Sequence, residues 1–392
     1  MEKGYWEDGE RLKFDGIVAD VAETTSGLVV RFKKTFFYPE SGGQLADKGT
    51  VAGIAILDSQ QDAKGPYVVL PLGSHLVVGQ HTACVVDSEN RRRHTQLHSA
   101  QHILSKLLDD KGIRTLSFHM TEEDASIEIG TSSLSSAVLR EIEDAVERSI
   151  WQCLPVETRF VEVSDLGAYD LRKVPELAGG PLRLVSIGDI DTNPCGGTHV
   201  SNTGQIGAFA IIRTDKVRGN VRLYFVAGRT ETLYRRKNDA VLAEIEGLLT
   251  CGLQDLSSAV AKLLQRDRDA GRQLKQLEEV IVDQLAVQTA AEVRANGSAA
   301  VVLDGVPAEV GRTLVAKLDS VPGPVCVIVY PSGDSEGQFV CSVPGGREDL
   351  LRAFSTVMKE KFGARMGGSG RMVQGKISMH LTRDQLMSIL NS

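Results

Sequence analysis

His98 and His102 stand four residues apart in His98-Ser99-Ala100-Gln101-His102. On a helix that spacing puts both imidazoles on one face, one turn apart, so both can reach a single ion. Far downstream, Asn193-Pro194-Cys195-Gly196-Gly197-Thr198-His199 offers a thiolate and a third imidazole, again four residues apart. A proline and two glycines there prepare a tight turn. Three imidazole nitrogens and one sulfur suit Zn²⁺, whose preference is nitrogen and sulfur donors in tetrahedral array. Four protein ligands favour a zinc that only holds the fold together, whereas a catalytic zinc keeps a position open. The sequence leaves the count open.

The residues around these pairs offer further chemistry. His94 precedes His98 by one helical turn and reads as an alternative ligand, a group behind the ligands, or a phosphate contact beside Arg91, Arg92 and Arg93. A run of arginines leading into a metal helix is well placed to hold a phosphate backbone, although such runs are often only solvated surface. Asp189, Asp191 and Glu40 are the carboxylates nearest the motifs and the candidates for a general base.

Positioning these groups requires folded elements on both sides of them. The chain has 392 residues, 42% apolar and 24% charged, an ordinary globular composition with room for two or three cores. From Phe14 to about Val86 short alternating runs broken by Gly, Asp and Pro predict a small β domain, barrel or sandwich. Thr95–Leu108 and Ser135–Gln152 read as helices, and Pro155–Val163, Ile206–Arg213 and Val221–Val226 as strands of an α+β region. Between about Thr230 and Val293, Leu248, Leu249, Leu263, Leu264, Leu274, Leu277, Ile281 and Leu285 recur at helical spacing. Two long helices broken at Gly252 follow, paired as a coiled coil or packed on their own domains. A small α/β domain closes the chain, with elements at Ala299–Leu303, Ala308–Leu318, Val325–Tyr330 and Glu348–Phe362 and a glycine-rich run at Gly367–Gly375.

No apolar run approaches the roughly 20 residues of a membrane helix, and the charged start is unlike a signal peptide, so a cytoplasmic location is expected. Of six cysteines, Cys84, Cys153, Cys251, Cys326 and Cys341 read as small buried hydrophobes, and Cys195 alone as a ligand. A net charge of −7 argues against indiscriminate nucleic-acid coating but allows local basic surface. Arg352, Lys359, Lys361, Arg365, Arg371 and Lys376 face a single acid, Glu360, between positions 351 and 380, which reads as such a surface.

The run from Arg91-Arg92-Arg93-His94 to His98-Ser99-Ala100-Gln101-His102-Ile103-Leu104, followed by Pro194-Cys195-Gly196-Gly197-Thr198-His199, resembles the paired zinc motifs of alanyl-tRNA synthetase editing domains and of the free-standing AlaX proteins. Phe37-Tyr38-Pro39-Glu40-Ser41-Gly42-Gly43-Gln44, with Asp47 and Gly49, resembles the glycine motif of the β domain in that family. Ile187-Gly188-Asp189 and Gly370-Arg371 through Gly375 also match, the latter resembling the DHH-associated C-terminal domain. The likeness is to the long AlaX type, since the aminoacylating core of the synthetase is absent.

The resemblance implies an α+β chain with a β-barrel domain at 1–90, a zinc-binding editing domain at 91–230, a helical spacer at 231–295 and a DHH-associated tRNA-binding domain at 296–392. It implies Zn²⁺ on His98, His102, Cys195 and His199, and hydrolysis of serine or glycine wrongly attached to the alanine tRNA. Gly42, Gly43 and Gln44 would border the amino-acid pocket, although Ser-Gly-Gly also makes an ordinary hairpin turn. Gln101 stands where the synthetase commonly has Thr, and with Asp189 is the candidate for a direct role; Arg91, Arg92, Arg365, Arg371 and Lys376 are the expected tRNA contacts. A homodimer through the spacer or the C-terminal domain would fit. A zinc hydrolase of small esters or amides, and a noncatalytic tRNA-binding protein with structural zinc, remain the alternatives.

Overall fold

A computed structural model describes residues 1–172, 181–331, 336–344 and 347–391. The chain divides into two compact units, Met1–Ile245 and Glu246–Ser392. Both mix helices with sheets, so the α+β class holds.

In the first unit, alternation along Lys13–Thr24, Gly27–Phe32, Gly65–Leu70 and His81–Val86 turns Val18, Val30, Phe32, Val68, Leu70, Cys84 and Val86 into a shared core. These strands lie in a seven-stranded antiparallel sheet bounded by Ile54–Ala55 and Asp58–Asp62. The Lys13–Thr24 strand pairs with His81–Val86 through its first half and with Gly27–Phe32 through its second, bending at a bulge between Val18 and Asp20. The result is a half-barrel, a small β domain of the kind expected at this end of the chain. One edge strand, Ile54–Ala55, has only two residues, and the other, Asp58-Ser59-Gln60-Gln61-Asp62, is polar, so both edges are poor templates for further pairing.

Helix α1 (Ser88–Asp109) follows at once, seven residues earlier than its apolar spacing predicts. Its polar first turns carry no apolar stripe; the start signal is Asp87, whose carboxylate accepts from the Asn90 amide at 2.9 Å. One side of α1, with Leu97, Ile103, Leu104 and Leu108, packs with helix α2 (Ser136–Trp151) on an antiparallel sheet of Thr115–Met120, Ala125–Ile129, Asn220–Ala227 and Phe209–Val217. Each of these fully buried side chains contributes about 2 kcal/mol. The polar flank of α1 beside this stripe is also covered, so His94, His98, Gln101 and His102 are all buried. A third sheet, Val156–Val161, Leu182–Ile187 and Asp191–Pro194, delivers Cys195 to that side.

Helix α3 (Arg229–Leu249) ends at the expected break, where Thr250 takes a left-handed φ of 52°. In the second unit, the distal end of helix α4 (Leu256–Asn296) buries Val282 and Val293 against Leu314 and Val327. Upstream on α4, Leu263, Leu264, Leu274 and Leu277 are all more than half exposed. A five-stranded sheet has the order Ala299–Asp304, Val325–Tyr330, Gly337–Ser342, Met372–Ile377, Arg365–Ser369. Its first pair is parallel, joined across the helix Ala308–Lys317 as a parallel connection requires. The glycine-rich run forms a hairpin: Gly368 pairs with Val373, and a Cβ on Gly368 would lie 2.5 Å from the Met372 carbonyl oxygen.

Among the described residues no helix is long and apolar enough to cross a membrane. Cys84, Cys326 and Cys341 are buried, but Cys153 is exposed and Cys251 half-buried, contrary to the expectation for all five. Cys153 follows the end of α2 in a left-handed turn, φ 50°, which carries it out of the core.

Candidate metal centre

His98, His102, Cys195 and His199 converge, with one ligand atom from each within 4.8 Å of the others. Cys195 Sγ lies 3.2 Å from His199 Nε2 and 3.5 Å from His98 Nε2. Donors around a tetrahedral Zn²⁺ at about 2.0–2.3 Å stand roughly 3.3–3.6 Å apart, so the cluster has the size and the donor set for such an ion.

Each imidazole is oriented from behind. His98 Nδ1 meets Gln44 Oε1 at 2.8 Å, His102 Nδ1 meets Asp191 Oδ2 at 3.0 Å, and His199 Nδ1 meets Ser99 Oγ at 3.1 Å. A ring whose Nδ1 proton is taken by such a partner presents Nε2 to a metal, and outer bonds of this kind set tautomer and aim. The loop that carries Cys195 is pinned as well. Arg183 Nη1 donates to the carbonyls of Cys195 at 2.7 Å and Gly197 at 3.0 Å, while Trp6 Nε1 donates to that of Gly196 at 2.8 Å.

The electrostatics suit a deprotonated sulfur. Burial alone would raise the Cys195 thiol, but the electrostatic influence of the neighbouring His98 and His199 rings and hydrogen bonds with His102 and His199 hold it well below the ordinary range. Burial drives His199 down to about 3. At His102 burial is outweighed by hydrogen bonds to Asp191 and Cys195, which lift it to about 9. Asp191, despite its burial, is held at about 2 by His102 and Arg172, whose guanidinium makes two bonds of 2.7 and 2.8 Å to it.

A cavity of about 410 Å³ opens onto this cluster, lined by Gly42, Gln101, Arg114, Thr115, Phe118 and Arg172 along with His98, His102 and Cys195. Gln101 is buried in its wall and donates to Ser105 Oγ at 2.7 Å. Thr115 donates to the same hydroxyl at 2.9 Å.

Other expected site residues fall elsewhere. Asp189 is exposed in the turn after Ile187; the carboxylate that meets the cluster is Asp191, two positions on. Glu40 is exposed and lies outside the cavity lining. Gln44 does not border the pocket: it is fully buried, tying His98 to Thr198 through its amide. His94 is also fully buried, apart from the cluster, without a partner on either ring nitrogen among the described residues; burial pulls it down to about 3. Arg91 is spent inside the protein, bonding Asp47 and the carbonyls of Gly9 and Phe36, which leaves only Arg92 of the expected pair exposed to a phosphate. In the second unit Glu336 pairs with both Arg365 and Lys376, an acid that a count along residues 351–380 misses, and Arg371 stays exposed.

Gly42 and Gly43 form a two-residue turn closed by the Ser41–Gln44 backbone pair, with φ of 59° and 84°. They differ in surroundings. A Cβ on Gly42 would meet nothing within 4 Å, but one on Gly43 would come within 2.4 Å of the Phe118 carbonyl oxygen. Gly43 is therefore the contact by which the half-barrel docks on Thr115–Met120, not a pocket wall. Gly43→Ala is expected to cost about 3 kcal/mol of stability in urea unfolding, against about 1 kcal/mol for Gly42→Ala. Equal costs would show that the Phe118 contact does not matter.

The model for the threonyl and alanyl tRNA synthetase second additional domain matches residues 182–224, which include Cys195 and His199. The alanyl-tRNA editing protein Aarsd1 of Danio rerio is 32% identical over 245 residues, 62% of this chain and 59% of that protein. The protein of the same name from Bos taurus is 31% identical over 62% of this chain and 55% of its own length, and that from Mus musculus 31% identical over 70% and 66%. This chain belongs to the AlaX-type alanyl-tRNA editing proteins. The AlaX-type chain spans rather less than two thirds of the first two of these relatives. In its family setting, the matched stretch supplies one half of the cluster and α1 supplies the other.

Proposed function

We propose that the protein hydrolyses the ester that joins serine, or glycine, to the 3′ end of an alanine tRNA, with Zn²⁺ held by His98, His102, Cys195 and His199. The observation that carries this reading is the cavity of about 410 Å³ on the ligand cluster, far more than one water's share of roughly 30 Å³. A zinc that served only to hold the fold would need no such space. Zinc bound there would supply a Lewis acid for the ester carbonyl or a water of lowered pKa only by expanding to five ligands or by releasing one of the four, with the fresh ligand entering from the cavity. The relatives' names as alanyl-tRNA editing proteins point to the substrate class.

The chain's own groups supply position and selectivity. Asp191, itself clamped by Arg172, fixes the His102 ring, and Gln44 fixes His98. Gln101, whose Nε2 is held by Ser105, has its amide oxygen left to accept from the serine hydroxyl, a bond that alanine cannot make. Arg92 and Arg114, and in the second unit Arg371, are exposed cations for the tRNA phosphates, whereas Arg365 and Lys376 would have to exchange Glu336 for one. The exposed leucines of α4 suit pairing of two chains.

Gln101→Leu tests the pocket. It removes one hydrogen bond worth about 2 kcal/mol, so the ratio of seryl- to alanyl-tRNA deacylation should fall about 30-fold while zinc content is kept. A ratio unchanged in a zinc-replete variant would remove Gln101 from substrate recognition.

A further inference from the structure

An aminoacyl ester seated in the cavity carries its terminal nucleotide with it, so the unpaired bases before it must leave over the rim. Part of that rim is Gly196, and Trp6 stands against it, donating Nε1 to the Gly196 carbonyl at 2.8 Å. The Trp6 ring lies 5.9 Å from that of Phe160, tilted by 52°. Phe160 is 51% exposed on the strand Val156–Val161. The Lys3 ammonium sits 4.2 Å from the centre of the indole. Inward, Tyr5 meets Trp6 edge-on at 6.2 Å and Tyr38 at 5.3 Å, and Tyr38 lines the cavity. A string of rings thus runs from the cavity wall to the surface.

A single exposed phenylalanine is common on protein surfaces. A half-open Trp–Phe pair with a cation over it, at the mouth of a cavity, is the combination that single-strand binding uses: ring faces for bases and a positive charge for the backbone. We propose that Trp6 and Phe160, with Lys3, form the stacking platform for the unpaired 3′-terminal nucleotides of the RNA substrate. The inference rests on the hydrolase reading for its choice of ligand. It assigns these residues to binding, so that affinity gained outside the cavity places the ester against the metal cluster.

The protein has two tryptophans, and Trp151 is exposed at the far end of α2. In a Trp151→Phe background Trp6 is therefore the sole indole reporter. Titration with a single-stranded oligoribonucleotide ending in CCA and carrying no amino acid should quench Trp6 fluorescence. Phe160→Ala should weaken that binding about tenfold and raise KM for seryl-tRNA about tenfold with little change in kcat. No quenching, equal quenching by a blunt RNA duplex, or unaltered affinity and KM in Phe160→Ala would overturn the platform. Quenching needs no hydrolysis, so the two readings fail separately. A protein that binds the strand but deacylates nothing keeps the platform and loses the hydrolase; one that deacylates without quenching loses the platform alone.

Discussion

Cys195→Ala and His102→Ala are each expected to lose bound zinc and, with it, about a thousandfold in deacylation of seryl-tRNA. Lewis-acid stabilisation of a developing oxyanion is worth several kcal/mol, and about 4 kcal/mol corresponds to that factor. Cys195 should have the larger effect on metal content. Its thiolate is the single anion among the four donors, and without it the dication would be buried among neutral imidazoles. His102→Ala would also strand Asp191 and Arg172 without the ring they aim. Both variants should fold, because the apolar core of α1 lies on its other side. Atomic emission on purified protein together with a deacylation rate checks the result. Full zinc occupancy in both variants would remove these residues from the ligand set.

Gly197→Ala should be nearly as damaging, and for a steric reason alone. A Cβ at Gly197 would lie 2.2 Å from His98 Cε1, 2.4 Å from its Nδ1 and 2.8 Å from Gln44 Oε1. The ring would have to turn, breaking its bond to Gln44 and swinging Nε2 out of the cluster. Disturbing the partner that aims a metal-binding histidine typically costs 10–100-fold in affinity, and displacing the histidine itself should reach the upper end, about 100-fold. The neighbouring Gly196→Ala is the control, since its Cβ would come no closer than 3.9 Å to Trp6. It should change zinc affinity by less than about threefold. Chelator competition with both variants reads the difference, and matched affinities would show that the approach of Gly197 to His98 is not what shapes the site.

What the sequence discloses here is local. Two donors one helical turn apart, and two more around a Pro-Cys-Gly-Gly turn, are visible as spacing, and the structure brings the four together. The groups that aim them are not visible in that way. Gln44, Asp191 and Arg183 reach the site across sheets and sequence separations that no periodicity encodes. Asp189 and Asp191 look alike in sequence, but the turn at Gly188 leaves the first in solvent and the strand that follows carries the second inward. The same limit explains Gly43, whose closeness to Phe118 depends on how the half-barrel docks, and Arg91, whose charge is cancelled by Asp47. It also explains Glu336, brought to Arg365 by strand pairing rather than by neighbourhood in the chain. Helices with clear apolar stripes, such as Glu348–Phe362, lie where their pattern puts them. The start of α1 does not, because a buried polar face has no hydrophobic signature.

The most direct test of the account is the rate at which the purified protein frees serine from seryl-tRNA bearing the alanine acceptor, with and without prior chelation. Correctly charged alanyl-tRNA serves as the comparison. The account predicts rapid loss of serine, slow loss of alanine, abolition of the serine reaction by chelator and its return on adding one equivalent of zinc. Seryl-tRNA left intact by zinc-replete protein, or cleaved equally fast after the metal is stripped, would contradict it.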